Sequence, residues 1–143
     1  MDVLTKEQRR KNMQAIRGTG TKQEGRLAKA LWNRGYRYRK NDKTVFGKPD
    51  LTFKRWKIAI FVDSEFFHGW KWDSEKYRIK TNRDFWWKKI ENNIKRDKQV
   101  NRFLRYRGWK VIRFWTKKVE KNLEFCVHKT VKIIEENSPK KIQ

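Results

Sequence analysis

The apolar positions fall into a few short runs set between strongly basic stretches. "TKQEGRLAKALWNRG" puts Leu27, Ala30 and Leu31 on one helical stripe. Thr21 can cap its start with Glu24 as the capping-box partner, and Gly35 ends it. "YRYRK" alternates and predicts a strand. "DLTF" and "KIAIFV" are strand-like runs around the polar link "KRW". "IAIFV" is apolar at every position, which predicts a central strand buried on both faces. Residues 63 to 82 carry no clear period and are expected to be irregular. "RDFWWKKIENNIKRDKQVNRFLRYRG" predicts a long helix with Phe85, Ile90, Ile94 and Leu104 near one side and Gly108 at its end. "WKVIRFW" predicts another strand, "LEFCVHKTVKIIEE" a last helix and "NSPKKIQ" a tail. Near the start, "EQRRKNMQAIR" has the pattern of a short helix carrying Met13 and Ile16 on one side. The order helix, strand, strand, strand, helix, strand, helix predicts an α/β fold, a small central mixed sheet with helices on its faces.

No repeat, low-complexity linker or composition shift divides the chain, and 143 residues suit one domain. The expected organisation is a single domain over 1–143, with a basic N-terminal arm over 1–20 and a flexible tail over 137–143. No apolar run is long enough to cross a bilayer, and the N-terminus lacks the apolar segment of a signal peptide. Cys126 is the one cysteine. It excludes a disulfide within the chain and any zinc site that needs several thiolates. These features predict a soluble, cytoplasmic protein.

Charge changes the picture most. Lys and Arg number 39 against 16 Asp and Glu, a formal net charge of +23. Such a chain calls for a polyanionic partner. The basic residues run along the whole chain and no basic amphipathic helix has a clean apolar face, so nucleic acid is favoured over a membrane surface. The segments "FWW" and "FFHGWKW" hold too many rings for all to point inward. Exposed rings beside Lys and Arg suit stacking on bases.

The chemistry concentrates at the predicted hairpin. Asp50 begins one strand and Asp63 ends the next, so folding about Arg55 or Trp56 sets Asp50 opposite residues 60 to 62. Asp63 and Glu65 are then expected near Asp50, sharing a face if the strand continues. Carboxylates at a DNA surface repel phosphate unless a divalent cation lies between them. Mg²⁺ takes carboxylate oxygens and supports in-line phosphoryl displacement. His68 stands beside these acids and can move a proton near neutral pH. His128, in the amphipathic last helix, reads as structural. A Pro-Asp pair on its own also fits an ordinary turn, and Asp63 a strand end. Even so, Pro49-Asp50 followed by Asp63-Ser64-Glu65 resembles the motif of the restriction-endonuclease-like nucleases, with Glu65 where Lys is usual.

From about Lys11 to Trp115 the chain resembles the very short patch repair endonucleases. The segments that carry the resemblance are "RKNMQAIRGTGTKQEGRLAKAL", "FGKPDLTF", "IAIFVDSEFFHG", "FWWKKIENNIKRD" and "RGWKVIRFW". The resemblance implies a restriction-endonuclease-like core and a Mg²⁺-dependent monomer. It would nick one strand of double-stranded DNA at T:G mismatches, which arise when 5-methylcytosine deaminates, and it would work alongside a DNA cytosine-5 methyltransferase. By the same resemblance Asp50 is the metal-binding acid and the Val62 carbonyl another ligand. His68 is the catalytic histidine, Glu24 orients it, and Asp97 is the acid of the long helix. Phe66, Phe67 and Met13 form a wedge that enters DNA. The chain departs from the family pattern in two places. Asp63 stands where His is frequent, so Asp63 or Glu65 is a further expected ligand and catalytic acid. Glu65, Trp70 and Trp72 occupy places where the best-known branch holds structural zinc, so no zinc is expected and Trp packing replaces it, with Trp70 also placed against DNA. The rival readings are a restriction-type or structure-specific nuclease, and a catalytically dead DNA-binding protein.

Overall fold

The computed structural model describes residues 21–138. The arm over 1–20, with Met13 and the short helix expected there, lies outside the described residues. So does the tail beyond Ser138.

Helix α1 (Lys22–Asn33) starts where Thr21 leaves extended backbone and its hydroxyl accepts the Glu24 amide at 3.2 Å. Its buried stripe is Glu24, Leu27, Ala28 and Leu31. Ala28 takes the place expected of Ala30, because a 3.6-residue period continues Glu24 through 27 and 28 to 31. Strand β1 (Arg39–Lys40) is only a remnant of the run expected at "YRYRK", and both of its residues are exposed. Strand β2 (Leu51–Phe53), a single 3-10 turn over Lys54–Trp56 and strand β3 (Ile58–Asp63) make the predicted hairpin, with Lys57 at φ 53 closing it. Helix α2 (Trp72–Glu75) and the 3-10 turn after it (Lys76–Arg78) lie in the stretch expected to be irregular. Helix α3 (Arg83–Tyr106) is the long one. Strand β4 (Lys110–Trp115), helix α4 (Thr116–Lys121) and helix α5 (Leu123–Asn137) complete the described chain. Helix α4 was not anticipated, since "TKKVEK" buries only Val119 and offers no period to read.

The sheet runs β1-β2-β3-β4. The first three strands pair antiparallel and β3 pairs parallel with β4, the parallel step being made possible by the α3 crossover. The expected α/β class with a mixed sheet is what forms. All six residues of β3 are buried, and strand alternation sends them to two different cores. Ile58, Ile60 and Val62 join Leu27, Leu31, Val127 and Ile134 under α1 and α5. Ala59 and Phe61 pack with Val100 and Leu104 of α3. Asp63, the next odd position, therefore faces α3. On that helix Ile90, Val100 and Leu104 are buried, whereas Phe85 is 58% exposed and does not join the apolar side as expected. Among the described residues no helix is long and apolar enough to cross a membrane.

Candidate active site

The site forms where the hairpin, β4 and α3 converge. Leu51 pairs with Ile60, so Asp50 reaches the end of β3, and the Val62 amide donates to Asp50 Oδ2 at 2.6 Å. This is the adjacency expected of Asp50. Its carboxyl is pushed up to about 7, first by burial and then by the nearby charges of Glu24 and Asp63. The Val62 amide and His68 act in the opposite direction. Glu24 is itself buried, on the stripe of α1.

Asp63, at the end of β3, meets Arg113 of β4, whose Nη1 donates to both carboxylate oxygens at 3.0 and 3.2 Å. Burial raises the Asp63 pKa, while His68 and Arg113 hold it down. Arg113 is fixed from two further directions. Its Nε donates to Asn101 Oδ1 at 2.7 Å, and its guanidinium carbon stands 4.0 Å over the Phe61 ring. Nη1 is also 3.6 Å from Asp97 Oδ1. Neither Arg113 nor Asn101 was among the expected site residues. Their only sequence signal is an Arg in the middle of an apolar strand, "VIRFW".

His68 lies between two acids. Its Nδ1 is 2.6 Å from Asp97 Oδ2, and its Nε2 is 3.7 Å from Asp63 Oδ1. Burial by itself would lower its pKa. The hydrogen bond to Asp97 and the charge of Asp63 outweigh that, and the imidazole is raised above its ordinary value. The acid bonded to its Nδ1 is Asp97, the orienting position expected of Glu24.

Glu65 does not join this group. The expectation that it shares a face with Asp63 assumed a strand continuing past residue 63. Strand β3 stops there and the chain turns, the His68 amide bonding the Ser64 carbonyl and the Trp70 amide that of Glu65. Both Glu65 oxygens are instead engaged by Thr116 and Lys117.

Two sets of residues can hold a cation. Ligand atoms of Asp63, His68 and Asp97 lie within 4.8 Å of one another, but Arg113 already compensates both of those acids. Asp50 is held by a neutral amide and keeps its proton unusually long. Its ionised form gains from a cation, and its oxygen suits a hard ion such as Mg²⁺. Both places therefore offer oxygen donors of the kind a hard divalent ion takes. These groups floor an open cleft of about 750 Å³ whose rim carries Lys43, Lys48 and Arg96.

Beside the cleft the turn carries rings. Phe66 is 41% exposed, and Phe67 is half-buried. Their rings meet at 5.4 Å, edge to face, and Phe66 meets Trp86 at 5.2 Å, which in turn meets Phe85 at 5.2 Å. The result is one aromatic ridge in which Phe85 and Trp86 of α3 extend the expected pair, while Trp87 meets Trp72 and Tyr77 instead. Gly69 permits the turn, having φ +68 and standing where a Cβ would lie 2.4 Å from Ile94 Cδ1. Trp70 lines a second cavity of about 500 Å³ with Phe66, Trp72 and Trp86, and Lys71 Nζ lies 4.8 Å from its ring centroid.

Comparison with known proteins adds a second line of observation. The family model described as DNA mismatch endonuclease Vsr matches residues 1–74. Over 125 residues the chain is 59% identical to a Haemophilus parainfluenzae protein named Type II nicking enzyme V.HpaIIP, covering 87% of this chain and 89% of that one. It is 54% identical over 129 residues to Type II nicking enzyme V.NmeDIP of Neisseria meningitidis serogroup C, covering 90% and 87%. The DNA mismatch endonuclease Vsr of Escherichia coli (strain K12) is 34% identical over 117 residues, covering 80% and 72%.

Proposed function

We propose, from the premise that the chain belongs to the DNA mismatch endonuclease Vsr family and is a DNA-cleaving hydrolase, that it nicks one strand of double-stranded DNA at T:G mismatches with Mg²⁺ as cofactor. The observation that carries this reading is one turn, residues 64–70, that presents the exposed Phe66 and, two residues on, His68 against Asp97. An aromatic wedge and a proton-transfer group are thus fixed to each other. Inserting a ring unstacks a base step at a cost of a few kcal/mol, and the cost is lower where pairing is already weak. A mismatch is favoured on that ground without any reading of base edges.

The reaction is hydrolysis of a phosphodiester. The Asp50 carboxylate, with the Val62 carbonyl, would hold Mg²⁺. When bound, the ion would supply charge stabilisation at the phosphate and a more acidic water. His68, with Nδ1 engaged by Asp97 and Nε2 3.7 Å from Asp63, would use Nε2 to accept a proton from the attacking water or to return one to the departing sugar oxygen. Arg113 offsets Asp63 and Asp97, so that the acidic floor repels the phosphate less. Lys43, Lys48 and Arg96 attract the backbone to the cleft. In this reading the enzyme acts as a monomer and alongside a DNA cytosine-5 methyltransferase, whose product gives rise to the T:G pair.

The test is cleavage of an end-labelled T:G duplex with Mg²⁺ and with excess EDTA. Nicking of one strand that requires the ion is expected, and equal nicking in EDTA contradicts the cofactor assignment. A second reading is a restriction-type or structure-specific nuclease on the same fold, left open because the names of the relatives, type II nicking enzymes, mention no mismatch. It predicts cleavage without a mismatch.

A further inference from the structure

Residues 64–70 carry Phe66, Phe67 and His68 but form neither helix nor strand. Their position depends on what ties the turn to its surroundings. On the α3 side, Asn93 Nδ2 donates to the Phe67 carbonyl at 3.1 Å, Gly69 lies against Ile94, and His68 meets Asp97. On the sheet side the situation differs. The backbone ladder between β3 and β4 ends at the pair Asp63 and Trp115. Beyond it the chains part, one into the turn and the other into α4.

Glu65 spans that fork. The Thr116 hydroxyl donates to Glu65 Oε1 at 2.5 Å, and the Lys117 amide donates to Oε2 at 3.0 Å. Trp115, at the N-cap position of α4, gives no side-chain cap. An uncapped helix start leaves amides without partners. Glu65 therefore caps α4 from across the sheet, and its carboxylate extends the ladder by one side-chain step. The Lys117 ammonium, 5.8 Å from the Trp70 ring centroid, adds a second tie from the same residue.

We infer that Glu65 is a positioning residue for strand nicking, a latch that sets the turn, and with it the aromatic wedge and His68, against the end of the sheet. A carboxylate in the motif where a nuclease has a catalytic lysine or acid thus serves geometry here rather than metal binding. The inference rests on the reading above only for the choice of duplex that is cut. Small displacements of reacting groups carry large rate penalties, about 100-fold for roughly 1 Å.

The experiment measures single-turnover nicking, duplex affinity and thermal melting for Glu65→Ala, Glu65→Gln, Thr116→Val and the Glu65→Ala/Thr116→Val double variant. Asn122→Ala serves as control, because it removes the side-chain cap of α5 at the opposite end of α4 from Glu65, where Asn122 Oδ1 accepts the Phe125 amide. Glu65→Ala should slow nicking by about 10- to 100-fold with affinity for paired DNA unchanged. Glu65→Gln keeps one acceptor oxygen and should recover part of that loss. The double variant should be no slower than Glu65→Ala, since both changes break one link. Asn122→Ala should nick at the wild-type rate. A Glu65→Ala protein that nicks at the wild-type rate overturns the inference. So do effects that multiply in the double variant, or equal loss in Asn122→Ala. Should Glu65→Ala fail to fold, Thr116→Val and Glu65→Gln decide, and wild-type rates in both overturn it. Wild-type protein that cuts paired and T:G duplexes alike contradicts the mismatch reading and leaves this test intact, because variant rates are compared on whichever duplex is cut.

Discussion

At the scale of single residues the account depends most on Asp50. Its carboxyl titrates at about 7 against an ordinary 3.8, chiefly because it is buried. The folded state holds this proton more tightly than the unfolded chain does. The associated stability is fully present below about pH 4 and is lost as pH rises through about 7. Asp50→Asn cannot ionise and keeps an oxygen for the Val62 amide, so without metal it should melt above the wild type at about pH 8, by on the order of a few kcal/mol at most. The two should converge near pH 4. Mg²⁺ should raise the melting temperature of the wild type and not of the variant, and the variant should bind duplex DNA without nicking it. Identical melts for both proteins at pH 8, with and without Mg²⁺, would exclude Asp50 as the metal ligand. Hairpin register made the meeting of Asp50 and Val62 legible from the sequence. The Arg113 clamp on Asp63 was not, because Arg113 lies 50 positions from its partner and nothing local marks the pairing.

At the scale of elements, the turn between β3 and α2 is the functional unit. Phe66 is largely free of the core, so Phe66→Ala should leave the melt nearly unchanged. Loss of one stacking ring costs about 1–3 kcal/mol, which predicts a drop of about tenfold or more in the cutting of a mismatched duplex. Phe67 is half-buried and its carbonyl is held by Asn93, so adding Phe67→Ala should lower the melt as well. A large fall in melting temperature from Phe66→Ala alone, with mismatch preference intact, would assign that ring to the core. The strands of the hairpin were readable as short apolar runs about a polar link, and the long helix α3 from its helical period. Alternation failed as a guide at Glu65, since it was carried past the last residue of β3. Family resemblance, not any period, singled out Asp97 and the expected place of Phe66 and Phe67, but it gave the orienting of His68 to Glu24, and the bond from His68 to Asp97 is legible only in the structure.

At the scale of the whole molecule, a net charge of +23 sets the strength of DNA binding. Each neutralised phosphate releases counterions, so affinity should fall steeply with salt, by about 10³-fold or more between roughly 50 and 200 mM if six or more phosphates are contacted. The preference for a mismatch arises from stacking and duplex deformation and should persist as total affinity falls. Parallel loss of both would place the preference in charge alone. Composition made the polyanionic partner legible, while the type of duplex that is cut depends on a local balance between wedge insertion and base pairing that composition does not encode. The most direct measurement compares single-turnover, strand-resolved nicking of two end-labelled duplexes in Mg²⁺, identical except that one carries T:G where the other carries C:G. The account predicts a cut in one strand of the T:G duplex, at least about tenfold faster than in its partner, since a destabilised step lowers the cost of wedge insertion by more than about 1.4 kcal/mol. Equal rates on both duplexes would contradict it.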